Sequence, residues 1–415
     1  MTRPPAFLLC PDSFKGTLSS AQAAELLSDA ARAQFPGCSC RSVPMADGGE
    51  GTVDALVEAL SGCRVTTGVK GPLGAPVKAT FGLVRPATSC QDAPVAQDAP
   101  AGSEEPADPA PQRPLAAVIE MAAASGLPLV EGEKDILAAS TYGTGQLILA
   151  ALDAGATSIT LAVGGSATND GGMGLLQALG ASFADKDGAS LPGCGGSLGQ
   201  VELVDLSGLD PRLAATPIKV LCDVDNPLLG PQGCAHVFSP QKGAAPEQEE
   251  LLERGMAHYA AKLQEAAGRY GQDIPGSGAA GGLAFGCVVG LGAQLVSGIA
   301  QVLDLIGFEG LAASADLVVT GEGHMDSQTA RGKVCAGVGA VCQTLQVPCV
   351  AIVGGAAIDA PAIPGIDAVV PCVGDVMSLD EALDQSEATF RQAAQRLFSL
   401  VALGGQVQRS LEEEV

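Results

Sequence analysis

Short apolar runs that stop at clusters of Gly and Asp recur along this chain. The first, Phe-Leu-Leu-Cys at 7–10, predicts a buried strand. A loop over 11–16 follows, and Ser19 then opens a helix, with Gln22 three residues on as its capping-box partner. Ala23, Leu26, Leu27, Ala30 and Ala31 keep the i, i+3, i+4, i+7, i+8 spacing of one buried helix face, and Pro36-Gly37 ends it. A second strand over 41–45 leads into a Gly/Asp loop at 47–52 and a helix over 53–60. This β-α-β-α order is that of a parallel sheet covered by helices. The C-terminal part repeats it, with strands over 316–320, 349–353 and 368–373, a helix from Lys333 and a last helix over 379–401.

The middle of the chain follows another pattern. Residues 64–69 and 77–84 alternate around Gly71-Pro72-Leu73-Gly74, which predicts a hairpin. Structure resumes at 115–120. Buried strands over 159–163 and 219–222 open into a Gly-rich and an acidic loop, and a long helix covers 247–267. The fold class expected is α/β with two domains. Residues 1–64 and 288–415 form a discontinuous three-layer domain with a parallel sheet, and residues 65–287 form an α/β domain inserted into it. Residues 86–114, rich in Pro, Ala, Asp, Glu and Gln, are expected to be a flexible surface insertion.

Composition narrows the function. The 415 residues are 47% apolar and 16% charged, enough to bury a large core, and aromatics at 3% leave that core to Ala, Val, Leu and Ile. The net charge of −24 excludes nucleic acid and anionic membrane as natural partners, since both reward a basic face. The thirteen cysteines contain no C-x-x-C pair, and several sit inside apolar runs, so they are expected as reduced core residues of a cytoplasmic protein. No uninterrupted apolar run is long enough to span a membrane.

The distinctive residues stand just after the apolar strands, where open parallel sheets bind ligands. The stretch GGSATNDGGMG at 164–174 is the most informative. Gly164 and Gly165 expose backbone N–H groups, and Ser166, Thr168 and Asn169 add side-chain donors ahead of Asp170. A helix expected from about Leu175 would aim its positive end at this loop, which suits an anion. Lys15 and Lys333 are the cations placed in such loops. The carboxylates Asp47, Glu50, Asp223, Asp225, Glu322 and Asp326 recur there as candidates to hold Mg²⁺ or to take a proton from an attacking hydroxyl. Asp47 and Asp225 have an alternative reading as helix caps or turn formers. There is no Walker lysine motif and no protein-kinase signature. The match to G-x-G-x-x-G at 276–281 follows a polar loop, not a strand, so a nicotinamide-dependent oxidoreductase is a weak rival. A sugar-acid sensor without turnover is another.

Taken together, these loops resemble the type I bacterial glycerate kinases. The resemblance rests on PDSFKG (11–16), ADGGEGT (46–52), GPLG (71–74), IEMAAASGL (119–127), TYGTG (141–145), GGSATNDGG (164–172), CDVDNPL (222–228), PQKGA (240–244), GSGAAGG (276–282) and the stretch 321–333, in order over nearly the whole chain. It implies two α/β domains with a site in the cleft between them. It also implies transfer of a phosphoryl group from ATP to D-glycerate, usually at O2 to give 2-phosphoglycerate, with O3 as the alternative position. By carry-over, Asp12, Ser13, Asp47, Glu50, the loop 164–170 and Asn226 would bind substrate and phosphate. Lys15, Asp223, Asp326 and Lys333 would act in catalysis, and Asp223, Asp225 and Glu322 would hold Mg²⁺. Partners are then small molecules, and a homo-oligomer is left open. The insertion at 86–114 departs from the family's shorter connection but avoids every motif.

Overall fold

The structure, a computed structural model, describes residues 3–14, 16–87, 114–132, 134–326, 329 and 333–413. Lys15 and most of the insertion expected over 86–114 lie outside the described residues. Two main sheets organise the chain. The first runs β13–β12–β11–β1–β2, where β1 is Ala6–Pro11, β2 Ser39–Ser42, β11 Leu317–Met325, β12 Cys349–Ala356 and β13 Ala368–Pro371. All its pairings are parallel. The second runs β10–β9–β6–β5–β4–β3, with β3 Cys63–Lys70, β4 Pro76–Val84, β5 Ala116–Glu120, β6 Ser158–Ala162, β9 Ile218–Leu221 and β10 Gln294–Val296. It is parallel from β5 to β10, and the hairpin β3–β4 forms its antiparallel edge. A short antiparallel pair, β7 (Ser182–Ala184) and β8 (Leu203–Asp205), stands apart.

The helix Ser20–Gln34 begins with the capping box between Ser19 and Gln22, as its sequence predicts. Three elements differ from the sequence reading. The strand expected over 41–45 is paired only over Ser39–Ser42, because its partner β1 offers register from Ala6 to Leu9. The strand expected to end at Thr320 continues to Met325, since β12 runs beside it as far as His324↔Gly355 and Met325↔Ala356. Gly321 and Gly354 permit this: a Cβ on either would collide with the neighbouring strand's carbonyl. The last helix is two helices, Leu379–Asp384 and Ser386–Glu413, parted at Gln385. In addition, β10 lies beyond residue 287 and still joins the second sheet. It is three residues long, too short to show a period.

A shared core ties the two sheets together. Leu8, Cys10 and Val318 of the first sheet pack with Val84, Ala116 and Val118 of the second, through the helices Thr52–Ala59 and Gly298–Ile306. Glu120, at the end of β5, accepts a hydrogen bond from Val53 N–H at 2.9 Å and so caps the Thr52–Ala59 helix from the opposite sheet. The strand ends of both sheets therefore open on one cleft.

Backbones meet there without side chains between them. Gly48 sits at φ +91°, where a Cβ would come 2.8 Å from Gly298 Cα, and a Cβ on Gly298 would fall on the Asp47 carbonyl oxygen. Gly298→Ala is expected to cost about 1–3 kcal/mol, as an overpacked core does. Gly404→Ala, in the exposed C-terminal helix with nothing within 4 Å of an added Cβ, is expected to gain about 0.5–1 kcal/mol. Urea unfolding midpoints check both, and an unchanged midpoint for Gly298→Ala would mean these loops are not in packed contact.

Candidate active site

Two cavities occupy the cleft. The larger, about 600 Å³, lies over the ends of β1, β11 and β12. One wall is apolar, from Phe14, Leu18, Leu379, Leu383 and Phe390. The other carries Asp12, Ser13, Asp47, Glu322, His324, Asp326 and Lys333. The lining comes from strand ends because each β-α loop of a parallel sheet emerges on the same edge. Lys333 is the N-cap residue of the helix Val334–Leu345, so its ammonium and the positive end of a twelve-residue helix meet at this wall. Glu322 has one carboxylate oxygen buried without a partner among the described residues. Desolvation raises its pKa above that of an ordinary carboxyl; Thr329 and Lys333 oppose this, and Asp326 and Asp47 reinforce it. Asp326 is held in a local turn in which Thr329 N–H donates to its carboxylate at 3.3 Å.

The smaller cavity, about 290 Å³, lies over the ends of β6 and β9. Gly164, Gly165 and Ser166 face it, with Asp223, Cys222 and Lys242. Asp47 lines both cavities. Its carboxylate accepts from Gly49 N–H at 3.1 Å, and Asp223, which approaches the same Gly298 as the Asp47 backbone, accepts from Gly298 N–H at 3.0 Å. Desolvation raises the Asp223 carboxyl and the charge of Asp47 raises it further, while hydrogen bonds from Gly298 and Ser297 oppose both.

The Gly-rich loop divides into two functions. Residues 164–166 line the cavity, whereas Thr168, Asn169 and Asp170 are wholly buried beneath it. The Asp170 carboxylate accepts from Thr141 N–H at 2.7 Å, Thr141 Oγ1 at 2.8 Å, Gly172 N–H at 3.0 Å and Gly174 N–H at 3.2 Å. The helix expected from Leu175 is Met173–Ala178, only six residues, and its first N–H groups are engaged by Asp170. The positive helix end is thus met by the chain's own carboxylate. The Asn169 amide and the Thr168 hydroxyl are buried with no partner among the described residues.

The structure brings Asp12, Ser13, Asp47, Asp326 and Lys333 to one cavity and Gly164, Gly165, Ser166 and Asp223 to the other. Glu50 and Asp225 are exposed and line neither. Asn226 turns its amide to the Gln232 carbonyl at 2.9 Å. The three carboxylates expected as Mg²⁺ ligands are not brought together: Glu322 faces the larger cavity, Asp223 the smaller, and Asp225 neither. Among the described residues no three His, Cys, Asp or Glu side chains converge as a metal cage. The oxygen donors of the larger cavity, with the orphaned Glu322 oxygen, nevertheless suit a hard cation that arrives with phosphates and needs only one or two protein carboxylates. Sequence reasoning missed Lys242 as a site residue, although its segment, 240–244, carries part of the resemblance. A lysine in a short polar segment gives no sign of burial. The apolar wall from Phe390, Leu379 and Leu383 was equally hidden, since it belongs to C-terminal helices distant in sequence.

A family model described as "Glycerate kinase family" matches residues 7–402. The chain belongs to the glycerate kinase family. It is 41% identical to a glycerate kinase of Bacillus subtilis (strain 168), over 95% of this chain and 97% of the relative. It is 40% identical to the glycerate 2-kinase of Escherichia coli (strain K12), over 96% and 98%. A crystal structure of a Salmonella typhimurium LT2 protein assigned to glycerate kinase 2 superposes with a TM-score of 0.83 at 38% identity, covering 97% of this chain and 100% of that one. No described helix is long and apolar enough to cross a membrane, and every described cysteine is a free thiol.

Proposed function

We propose that this protein transfers the γ-phosphoryl group of ATP to the 2-hydroxyl of D-glycerate, giving 2-phosphoglycerate and ADP in the cytoplasm. The observation that carries the reading is Asp47, which lines both cavities and so stands where a donor in one would meet an acceptor in the other. The larger cavity is assigned to the nucleotide: its apolar wall suits a heterocyclic base, and its polar wall suits the phosphates. The smaller has the size for a three-carbon acid. Such a transfer asks the protein mainly for position and electrostatics.

Each role follows from placement. Asp47 accepts the proton of the glycerate hydroxyl as its oxygen bonds to phosphorus and the bond to the ADP oxygen breaks. Asp223 orients the acceptor from beside Asp47. Lys333 and the helix end behind it offset negative charge on the transferring group, and Lys15 is assigned the same task from its place beside Asp12 and Phe14 in the sequence. Asp12, Glu322 and Asp326 would hold Mg²⁺. That ion, bound with ATP, neutralises phosphate charge.

The test is a coupled assay of the purified protein with ATP, Mg²⁺ and D-glycerate, using enolase and pyruvate kinase without phosphoglycerate mutase. A signal is expected and identifies 2-phosphoglycerate. ADP without that signal would place the phosphate on O3. No ADP would overturn the proposed activity.

A further inference from the structure

An acid substrate brings one full negative charge into the smaller cavity, where the protein has already placed two. Asp47 and Asp223 both line this space. A carboxylate would be repelled there unless a cation faced it. Among the described residues that line the cavity, Lys242 is the one cation.

The setting of Lys242 is costly. The side chain is 3% exposed. Its ammonium donates to Ser166 Oγ at 2.8 Å and to the Thr168 carbonyl at 2.7 Å, and both partners are neutral. A buried ammonium whose hydrogen-bond partners are both neutral is destabilising. Desolvation pushes its pKa down to about 8, and electrostatic interaction with the neighbouring Cys234 and Asp170 opposes that in part. The other titratable groups facing this space are the Cys222 thiol and the carboxyls of Asp47 and Asp223. Burial raises both thiols, Cys234 to about 12, so they remain neutral while Lys242 titrates.

We propose that Lys242 is the charge-reading residue of the acceptor site: its ammonium, held by Ser166 and the Thr168 carbonyl, receives the carboxylate of a small hydroxy acid. The opposite end of the cavity then meets the substrate's hydroxyls with Asp47 and Asp223. One cation for the acid group and two carboxylates for the hydroxyls match the chemistry of a short hydroxy acid, and they orient it with its hydroxyls toward the larger cavity. The inference rests on assigning the smaller cavity to the acceptor. It adds the reason an acid is selected over a neutral polyol.

The experiment is steady-state kinetics of the full chain and of Lys242→Met, with D-glycerate, its uncharged methyl ester and ATP varied in turn. Met keeps the stem and removes the charge. The variant is expected to raise KM for D-glycerate by at least about tenfold, as loss of a charged hydrogen bond does. KM for ATP and kcat/KM for the ester should stay within about threefold of the parent. An equal loss on acid and ester would reduce Lys242 to a structural role. A raised KM for ATP with D-glycerate unchanged would move Lys242 to the phosphates and overturn the cavity assignment as well.

Should the variant fail to fold, the parent protein supplies a second test. A lysine with a lowered pKa is charged below about pH 8, and a bound carboxylate favours that charged form. KM for D-glycerate is therefore expected to climb up to tenfold per unit above about pH 8, with KM for ATP flat. A flat KM for D-glycerate to about pH 10 overturns the proposal. If the parent forms no ADP from D-glycerate, the proposed activity fails separately. Calorimetry of D-glycerate against its ester then decides Lys242, with equal affinities overturning its role.

Discussion

Asp47→Asn is expected to lower kcat for glycerate phosphorylation by about 10²–10⁴, the span of a positioned general base, or about 3–5 kcal/mol of barrier at about 1.4 kcal/mol per decade. Asn keeps the size of the side chain and an oxygen to accept the Gly49 N–H, so the loop should stay folded. It removes the negative charge that would draw the hydroxyl proton. KM for both substrates should change little, because neither cavity loses a wall. Single-turnover kinetics with the variant separate chemistry from product release. A kcat within threefold of the parent would strip Asp47 of its role and leave its neighbour Asp223, also facing the smaller cavity, as the base.

Asp170→Ala should lower stability by about 3 kcal/mol or more, since it leaves several buried donors unpaired at about 1–3 kcal/mol each. Thr141 N–H, Gly172 N–H and Gly174 N–H would lose their acceptor in a site closed to solvent. Asp170→Asn should fall between the two, because its NH₂ must face at least one of these donors. Chemical denaturation with the midpoint and slope fitted together measures the loss. If Asp170→Ala unfolds like the parent but binds ATP or glycerate far more weakly, the carboxylate belongs to ligand binding, as its place in a Gly-rich loop first implied.

Asp170 also shows where a sequence stops informing. Gly164 to Gly174 is legible as a loop built for backbone exposure, and residues 164–166 do line a cavity. The same string could not show that its acidic residue folds inward to Thr141, twenty-nine positions earlier. Lys242 poses the opposite case. Its short polar neighbourhood suggests a surface, yet the chain buries it under the loop that carries Ser166. Polarity along a chain says what a residue would prefer. Only packing says which residues are denied that preference.

Legible in the chain alone were the α/β class, the strand ends where chemistry gathers, the family and hence the class of reaction. These follow from local pattern: apolar runs bury, Gly and Asp clusters end them, and parallel strands put their loops on one edge. Tertiary structure alone decided that these loops form two cavities joined at Asp47, that Glu322 and Asp223 face different ones, and that helices near the C-terminus wall the larger. The physical reason is distance along the chain. Contacts such as Gly298 against Asp47, or Phe390 beside Phe14, join segments hundreds of residues apart, and no local periodicity records which distant surface a side chain will meet.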